Sequence, residues 1–449
     1  MAEEPHRRTD VLDVVGIGFG PSNLALAIAL AEHNAAAPEQ ERVSAHFFEK
    51  QIAFGWHRGM LMPGTTMQVS HLKDLVTMRD PTSRFTFLAY LHDRGRLTDF
   101  INHKIIFPSR IEFHDYLEWA ADAFRKEVAY GTEAVDVRPV EEDGEVTHFA
   151  VTAHSVGLPS KPFVQRARNV VVAGGLRPHL PDGAALSDRV WHTGELLGRL
   201  ERLPVPRPRS FTVVGAGQSA AEAVAHLHRE FPDADVHAVF RRYGYSPADD
   251  SSFVNRIFDP DAVDRFHGAP EDVKRMMVDY HRSTNYSVVD LDLIDELYRR
   301  VYQEKVGGHQ RLHVHGLSHL LEARTTGNSV RATVEFLPTG ERRVLDTDIL
   351  VYATGYRPMD VREVLGGVTP YVRTDEHGRP RVRRDYRVET GLRGTAAIYL
   401  QGPTEHSHGL ASGLLSNTAV RAGEILRAIT ESCRTTTGSE RRSHARHAS

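Results

Sequence analysis

Two stretches of this sequence place glycines at spacings that let a backbone wrap a phosphate. Residues 14–24 read V-V-G-I-G-F-G-P-S-N-L, and residues 213–222 read V-V-G-A-G-Q-S-A-A-E. In the first, Gly16 permits a tight turn after an apolar run, and Gly18 lets the chain approach a pyrophosphate with no Cβ in the way. Gly20 and Pro21 stand near the third glycine position; proline suits a first helical turn, where its missing N–H has no partner to lose. The helix that follows offers free N–H groups and a partial positive charge. A strand-to-helix turn with no ligand shows the same glycines, so a second feature is needed. Glu49 supplies it at the end of S-A-H-F-F-E-K, 33 residues beyond Gly16, where a carboxylate can accept from ribose hydroxyls. That separation exceeds the usual ~20, and a loop over residues 35–42 accommodates the difference.

The second stretch is the cleaner one. Gly215, Gly217 and Ala220 match G-x-G-x-x-A between a strand and a helix that opens with Gln218 and Ser219. Where an NAD enzyme places an acid, this chain has Arg241 and Arg242, the first of them 26 residues after Gly215. Guanidinium groups there pair a 2′-phosphate and select NADPH, although strand-end arginines in solvent look the same in isolation. Two nucleotide sites on one chain, one of the NADP type, imply hydride transfer to a second bound redox cofactor. FAD at the first site is the economical assignment.

The elements that must hold these residues are legible as apolar runs ending in glycine. VLDVVGIG (11–18), NVVVAGG (169–175), SFTVVGAG (210–217) and DILVYATG (348–355) read as parallel strands buried on both faces. Helical patterns follow two of them, at 23–33 and 219–231. The fold class is therefore α/β, with two Rossmann-like dinucleotide-binding domains. The expected plan is an FAD domain over 1–200 plus 392–433, an NADPH domain over 201–283 plus 332–391, a small and mainly helical substrate segment over 284–331, and a disordered polar tail over 434–449. The proline- and arginine-rich stretch 201–210 reads as a linker.

Bulk composition narrows the function. Fifty-five basic and 59 acidic residues leave a formal charge of −4, which favours neither nucleic acid nor an anionic membrane. The single cysteine, Cys433, excludes an intrachain disulfide and the cysteine pair that a disulfide reductase needs. The apolar segment 24–31 is too short to span a bilayer, the first ten residues carry no secretory pattern, and a cytoplasmic protein is expected. His406 and His408, at i,i+2 with only Glu405 beside them, are a poor metal set, and no metal is expected.

Eight segments together are more specific. GIGFGPSNLALA (16–27), FGWHRGMLMPGTTMQVSHLKDLVTMRDPTSRFTFLAYL (54–91), FPSRIEFHDYLEWA (107–120), VVGAGQSAAE (213–222), SSFVNRIFDP (251–260), HRSTNYSVVD (281–290), ATGYRP (353–358) and TEHSHGLASGLLS (404–416) appear in this order. On these motifs the chain resembles the microbial N-hydroxylating flavin monooxygenases that act on the side-chain amine of L-ornithine or L-lysine. The resemblance covers roughly residues 11–430.

The resemblance implies roles for particular residues. FAD would be contacted by Glu49, Lys50, Trp56, His57, Gln68 and Val135, and late in the chain by Gly413, Leu414 and Leu415. Lys73 and Asn255 would bind the amino-acid carboxylate. Thr284, Asn285 and Ser416 would surround the substrate and nicotinamide, with Gln68 and Asn285 nearest the chemistry. NADPH would rest on Gly215, Gly217, Gln218, Ser219, Arg241, Thr354, Gly355 and Tyr356. One departure is His71, where the family has an apolar residue.

The residue chemistry agrees with an amino-acid substrate at one point. Lys73 is followed by Asp74, and an i,i+1 pair does not face itself on a helix, which leaves the lysine open to a ligand; a plain surface lysine is the other reading. The implied reaction is NADPH reduction of FAD, uptake of O2 as a C4a-hydroperoxyflavin, and attack of the neutral amine on the distal oxygen. The amine, with a pKa of ~10.4 in water, must first lose its proton.

Ornithine and lysine differ by one methylene, worth only ~1–3 kcal/mol in a pocket. The run 75–87 looks more like the ornithine branch, and lysine or another diamine stays open. A flavin-bound sensor is the non-enzymatic alternative, separable by substrate-stimulated NADPH oxidation. A homo-oligomer, dimer or tetramer, is expected.

Overall fold

The computed structural model describes residues 11–203, 207–281, 284 and 287–447, with side chains up to residue 432. The four glycine-ended runs are all parallel strands. β1 (Leu12–Ile17) lies between β2 (Ala45–Glu49) and β6 (Phe163–Val172), and both neighbours run parallel to it. β3 (Val128–Tyr130) extends the sheet beyond β2, and β17 (Ala397–Leu400) pairs with the second half of β6. The first half of β6 pairs antiparallel with β5 (Glu145–Ser155), which pairs with β4 (Thr132–Glu142). The short β7 (Leu176–Pro178) leaves this sheet toward the second lobe.

The second sheet is wholly parallel. It contains β8 (Val190–His192), β9 (Ser210–Val214), β10 (Asp235–Val239), β11 (Leu312–His315) and β15 (Ile349–Tyr352), in the order β11-β10-β9-β15-β8. An antiparallel sheet of β12 (Ser318–Thr326), β13 (Ser329–Phe336) and β14 (Glu341–Thr347) flanks it, and β16 (Tyr356–Pro358) pairs back onto β7.

Helices cover these sheets. α1 (Pro21–Ala36) buries Leu24, Ile28 and Leu30 against the first sheet. α2 (Phe87–Asp93), α3 (Leu97–His103) and α4 (Arg110–Asp122) close the same core with Phe87, Phe100, Phe113 and Tyr116. α5 (Leu196–Leu200) and α6 (Gln218–Glu230) pack on the second sheet. α7 (Pro260–Gly268), α8 (Glu271–Tyr280) and α9 (Leu291–Gly307) follow, and α9 places Leu297 in the second core. α10 (Arg362–Leu365), α11 (Glu405–His408) and α12 (Thr418–His447) complete the described helices.

The lobe boundaries differ from those expected. β8 lies in the second sheet, although it precedes residue 200. β11 and β12 occupy part of the stretch expected to be helical. Val361, Leu365, Val368 and Val388 pack with Leu12, Val15 and Val170, on the first lobe rather than the second. A three- or four-residue strand carries too little pattern to announce its sheet; its neighbours decide. The backbone of 434–447, expected to be unstructured, continues α12. Ala419, Ala422, Ile425 and Ile429 bury its first turns, and adding residues to a formed helix costs far less than nucleating one. Among the described residues, no helix is long and apolar enough to cross a membrane.

Candidate functional site

The first glycine loop is shaped by contacts that only glycine allows. A Cβ on Gly16 would sit 2.2 Å from the Phe47 ring. Gly18 has φ +84°, and a Cβ there would lie 2.3 Å from the Ala173 carbonyl oxygen. Gly20 faces open space and is the N-cap of α1 with no side-chain cap, and Pro21 is the first helical residue. Glu49 is buried at the end of β2 and grips the loop. It accepts from Phe19 N at 2.7 Å and from Gln51 N at 2.8 Å. Lys50 beside it is exposed.

The second loop repeats this construction. Gly215 has φ +147°, and a Cβ would fall 2.2 Å from the Ala353 carbonyl oxygen. Gly217 caps α6 through its backbone, so Gln218 and Ser219 form the open first turn. Beyond β10, Arg241 and Arg242 are exposed. Arg241 lies against the His319 ring, at 3.0 Å from Nε2, and Arg242 donates to the Ser287 carbonyl at 2.8 Å. Thr354 donates to the His179 carbonyl, and Gly355, with φ +81°, accepts from His192 Nε2 at 3.0 Å.

The lobes meet between these loops. Met60 and Met62, from the loop after β2, are buried in the second lobe's core. His57 has φ 49° and its ring lies 6.0 Å from that of Tyr356. The His57 ring is open to solvent yet crowded by protein on most sides, as a residue on a cleft wall is. That crowding, with the charge of Arg110, lowers its pKa to about 4, so it is neutral near pH 7. Burial raises the pKa of the Tyr356 hydroxyl. Trp56, half-buried, packs edge-on against His57 at 4.7 Å.

A chain of polar contacts crosses the same junction. Gln68 Nε2 donates to Asp290 Oδ1 at 3.1 Å, and Gln218 Nε2 donates to Asp290 Oδ2 at 2.9 Å. Gln218 Oε1 accepts from Asp290 N, and Gln218 Nε2 also reaches Glu222 Oε1 at 3.0 Å. Glu222, 4% exposed, is held by both arms of Arg110 at 2.8 and 2.7 Å. Burial raises the Asp290 pKa, and the nearby Glu222 charge adds to it.

Lys73 and Asn255 are brought together across 182 residues of sequence. Lys73 Nζ lies 5.9 Å above the Phe258 ring, and Phe258 shares a short 3-10 turn, Val254–Phe258, with Asn255. Asp74 turns inward, accepting from Val76 N, Thr77 N, Thr77 Oγ1 and Phe87 N at 2.7–2.9 Å. Among the described residues Lys73 therefore has no ion-pair partner. Asn255 donates to the Asp250 carbonyl at 2.7 Å. His71, the departure from the family pattern, packs edge-on against Phe100, and its Nδ1 donates to the Ile106 carbonyl at 3.0 Å.

The late segment lies beside the first loop. Gly413 is exposed, Leu414 and Leu415 are half-buried, and Ser416 is buried. Flanking them, Ser412 Oγ and both amide atoms of Asn417 are buried with no hydrogen-bond partner among the described residues. Buried polar atoms are seldom left so, which suits a segment that faces a polar ligand. Val135 sits at a bulge in β4 and is exposed. Thr284 N donates to the His281 carbonyl, and Asn285 lies outside the described residues. Among the described residues, no three His, Cys, Asp or Glu side chains are placed to hold a metal; His406 Nε2 is within 2.8 Å of the Pro380 carbonyl oxygen.

The family model for L-lysine 6-monooxygenase/L-ornithine 5-monooxygenase matches residues 10–358. The chain belongs to this family. It is 43% identical to an L-ornithine N(5)-monooxygenase of Burkholderia cepacia, over 90% of this chain and 91% of that one. A solved structure of the Kutzneria sp. 744 ornithine N-hydroxylase, with reduced FAD, NADP+ and L-ornithine, is 44% identical and superposes with a TM-score of 0.89, covering 94% of this chain and 99% of that one. An L-lysine 6-monooxygenase from Pseudomonas syringae is 33% identical, with a TM-score of 0.82 over 94% and 99% of the two chains. As a member of this family the chain is an N-monooxygenase with a small-molecule substrate.

Several residues that shape the site were not singled out from sequence. Arg110, Glu222 and Asp290 all lie inside segments that carry the family resemblance, yet their pairing needs three separate elements. Asn23 lies in the first loop's own motif and props it by donating to the Gly18 carbonyl at 2.7 Å.

Proposed function

We propose that this chain hydroxylates the N5 amine of L-ornithine, with FAD and NADPH as cofactors and O2 as co-substrate, in the making of a hydroxamate siderophore or a related peptide. The observation that carries this reading is its 43% and 44% identity to two ornithine enzymes, against 33% for the lysine enzyme and 33–37% for other ornithine enzymes. The first loop fits FAD: Gly16 and Gly18 lie against neighbouring side chain and backbone, Glu49 is held at the end of β2, where a ribose is expected, and unpartnered polar atoms flank Gly413–Leu415. The second fits NADPH, with Arg241 and Arg242 exposed at the strand end and without a carboxylate partner among the described residues.

When bound, FAD supplies the flavin-dependent activation of O2, with NADPH as the hydride source. The chain's own share is placement. Lys73, left free by the inward turn of Asp74, anchors the substrate carboxylate, with Asn255 beside it. That sets the reach of the side-chain amine. The family resemblance assigns Thr284, Asn285 and Ser416 to the substrate's surroundings. Neutral His57 and the raised Tyr356 hydroxyl add no charge at the junction, and Gln68 is held there by Asp290. A homo-oligomeric state and a cytoplasmic setting belong to the same reading; Tyr298, Tyr302 and Val306 form an exposed stripe along α9 of the kind that association covers.

The test is a product assay with both amino acids and the Lys73→Ala variant. Wild type should form N5-hydroxyornithine and favour ornithine over lysine in kcat/KM; the reverse preference would overturn the substrate. Lys73→Ala should lose ~2–5 kcal/mol of substrate binding, seen as a raised KM, with FAD content and NADPH affinity near wild type. Hydroxylation should fall relative to NADPH oxidation, the surplus appearing as hydrogen peroxide. An unchanged KM would return Lys73 to the surface.

A further inference from the structure

α12 carries an arginine on its buried face. Arg421 is 2% exposed and sits in the first turn, in line with Ala422, Ile425 and Ile429. A buried cation normally lies against a carboxylate. Among the described residues none is within ion-pair distance of Arg421. Glu424, one turn on, gives its two oxygens to Arg384 at 2.9 Å each. Arg421 donates only to neutral oxygens: Nε to Gln401 Oε1 at 3.2 Å, Nη1 to the Ser412 carbonyl, and Nη2 to Ser22 Oγ at 3.0 Å and Thr418 Oγ1 at 3.4 Å. Such acceptors satisfy the N–H groups and leave the charge without a directly paired anion.

The surroundings add to that charge. Ser22 lies in the first turn of α1 and Thr418 opens α12, and each helix N-terminus carries roughly half a positive charge. Neither first turn contains an acid. Two helix ends and a guanidinium thus converge on one buried place with no carboxylate in ion-pair contact among the described residues; the Glu424 charge reaches Arg421, but its oxygens are taken by Arg384. The same group is wired to the glycine loop. Gln401 Nε2 donates to Asn23 Oδ1 at 2.9 Å, and Asn23 donates to the Gly18 carbonyl at 2.7 Å. The unpartnered Ser412 Oγ and Asn417 amide lie on the segment that Arg421 holds.

We infer that Arg421 is the fixed counter-charge for the dinucleotide pyrophosphate at the first glycine loop, placed behind α1 rather than in the loop. The inference rests on the assignment of FAD to that loop. Arg421 is a positioning residue: it biases the potential at the helix end and braces the loop through Gln401 and Asn23.

The full-length apoprotein, stripped of flavin, is titrated with FAD and with riboflavin, which has no phosphate. Arg421→Gln, which keeps hydrogen-bonding groups and removes the charge, should bind FAD about tenfold or more weakly and riboflavin as wild type does. Arg421→Lys, which keeps the charge, should retain most of the FAD affinity. The rise in Tm on adding FAD, each variant measured against its own apoprotein, should shrink for Gln and persist for Lys. FAD affinity of the Gln variant within about threefold of wild type, or equal losses in Gln and Lys, would overturn the counter-charge. Wild type that takes up no FAD would instead overturn the cofactor assignment. If the Gln apoprotein does not fold, wild type decides: ADP, which carries the pyrophosphate, must raise its Tm, and failure to do so overturns the inference.

Discussion

The two glycine loops share a backbone plan and differ in what stands around them. In each, one glycine with positive φ lies where a Cβ would strike a carbonyl oxygen, of Ala173 in the first lobe and Ala353 in the second. The first loop is clamped by a buried acid, Glu49, and braced from behind by Asn23, Gln401 and Arg421, all at most 6% exposed. The second ends in two exposed arginines, and its support comes from Asp290, at the N-terminus of α9, to Gln218 and, across the lobe junction, from Arg110 to Glu222. A seat built into the core suits a cofactor that stays. A seat braced in part from the neighbouring lobe suits one that arrives and leaves. On the proposed reading, the sign of the strand-end charge chooses ribose hydroxyls in one case and a phosphate in the other.

The largest expected effect breaks the likeness of the loops. Gly18→Ala and Gly215→Ala each combine a strained backbone with an overpacked contact, together about 2–6 kcal/mol. The first should be purified with little FAD. The second should keep its flavin and lose reduction by NADPH. If both lose flavin, the two seats are not independent.

Next in size is the difference in charge. Arg241→Ala should weaken NADPH by ~1.5–3 kcal/mol and NADH hardly at all, because only NADPH offers the 2′-phosphate. Equal losses in nucleotide titrations would mean that this arginine does not read the phosphate.

A smaller effect probes the junction. Asp290→Ala removes the acceptor shared by Gln68 and Gln218 and should cost about 1 kcal/mol. It should appear as a several-fold slower flavin reduction in stopped-flow, with FAD content and Tm close to wild type. A variant that reduces its flavin at the wild-type rate would show that the second seat needs no brace from Asp290.

The smallest effect is acid sensitivity confined to the second lobe. His237 Nδ1 is 3.1 Å from His315 Nε2 on the neighbouring strand, and His313 stacks on His237 at 4.7 Å. Burial first, then the other histidines beside His237 and Arg343 beside His315, lower both pKa values to about 4, with Asp235 opposing at His237. The unfolded chain takes up protons near pH 6.5, so the neutral rings favour the fold above that pH. Their contribution is lost as pH falls from about 6.5 toward about 4. Urea unfolding followed at pH 7 and pH 5 should show this loss, reduced in His237→Gln. NADPH binding should fade before flavin is released; flavin leaving first would reverse the ranking of the two lobes.

Much of this was present in local chemistry. The apolar runs ending in glycine, the acid after one second strand and the arginines after the other act within a few residues of themselves, so their types and spacing determined the central parallel strands of both sheets and the two glycine loops. What only the tertiary structure decided were relations between distant segments. Gln401 and Ser22 meet across 379 residues, and Arg110 and Glu222 across 112. β8 and β11 joined the second sheet through pairings that their three or four residues could not specify. Hydrogen bonds, charge compensation and depressed histidine pKa values depend on which atoms end up within a few ångströms and how much water is excluded. The packed fold sets those quantities, whereas the order of residues sets only which ones are available.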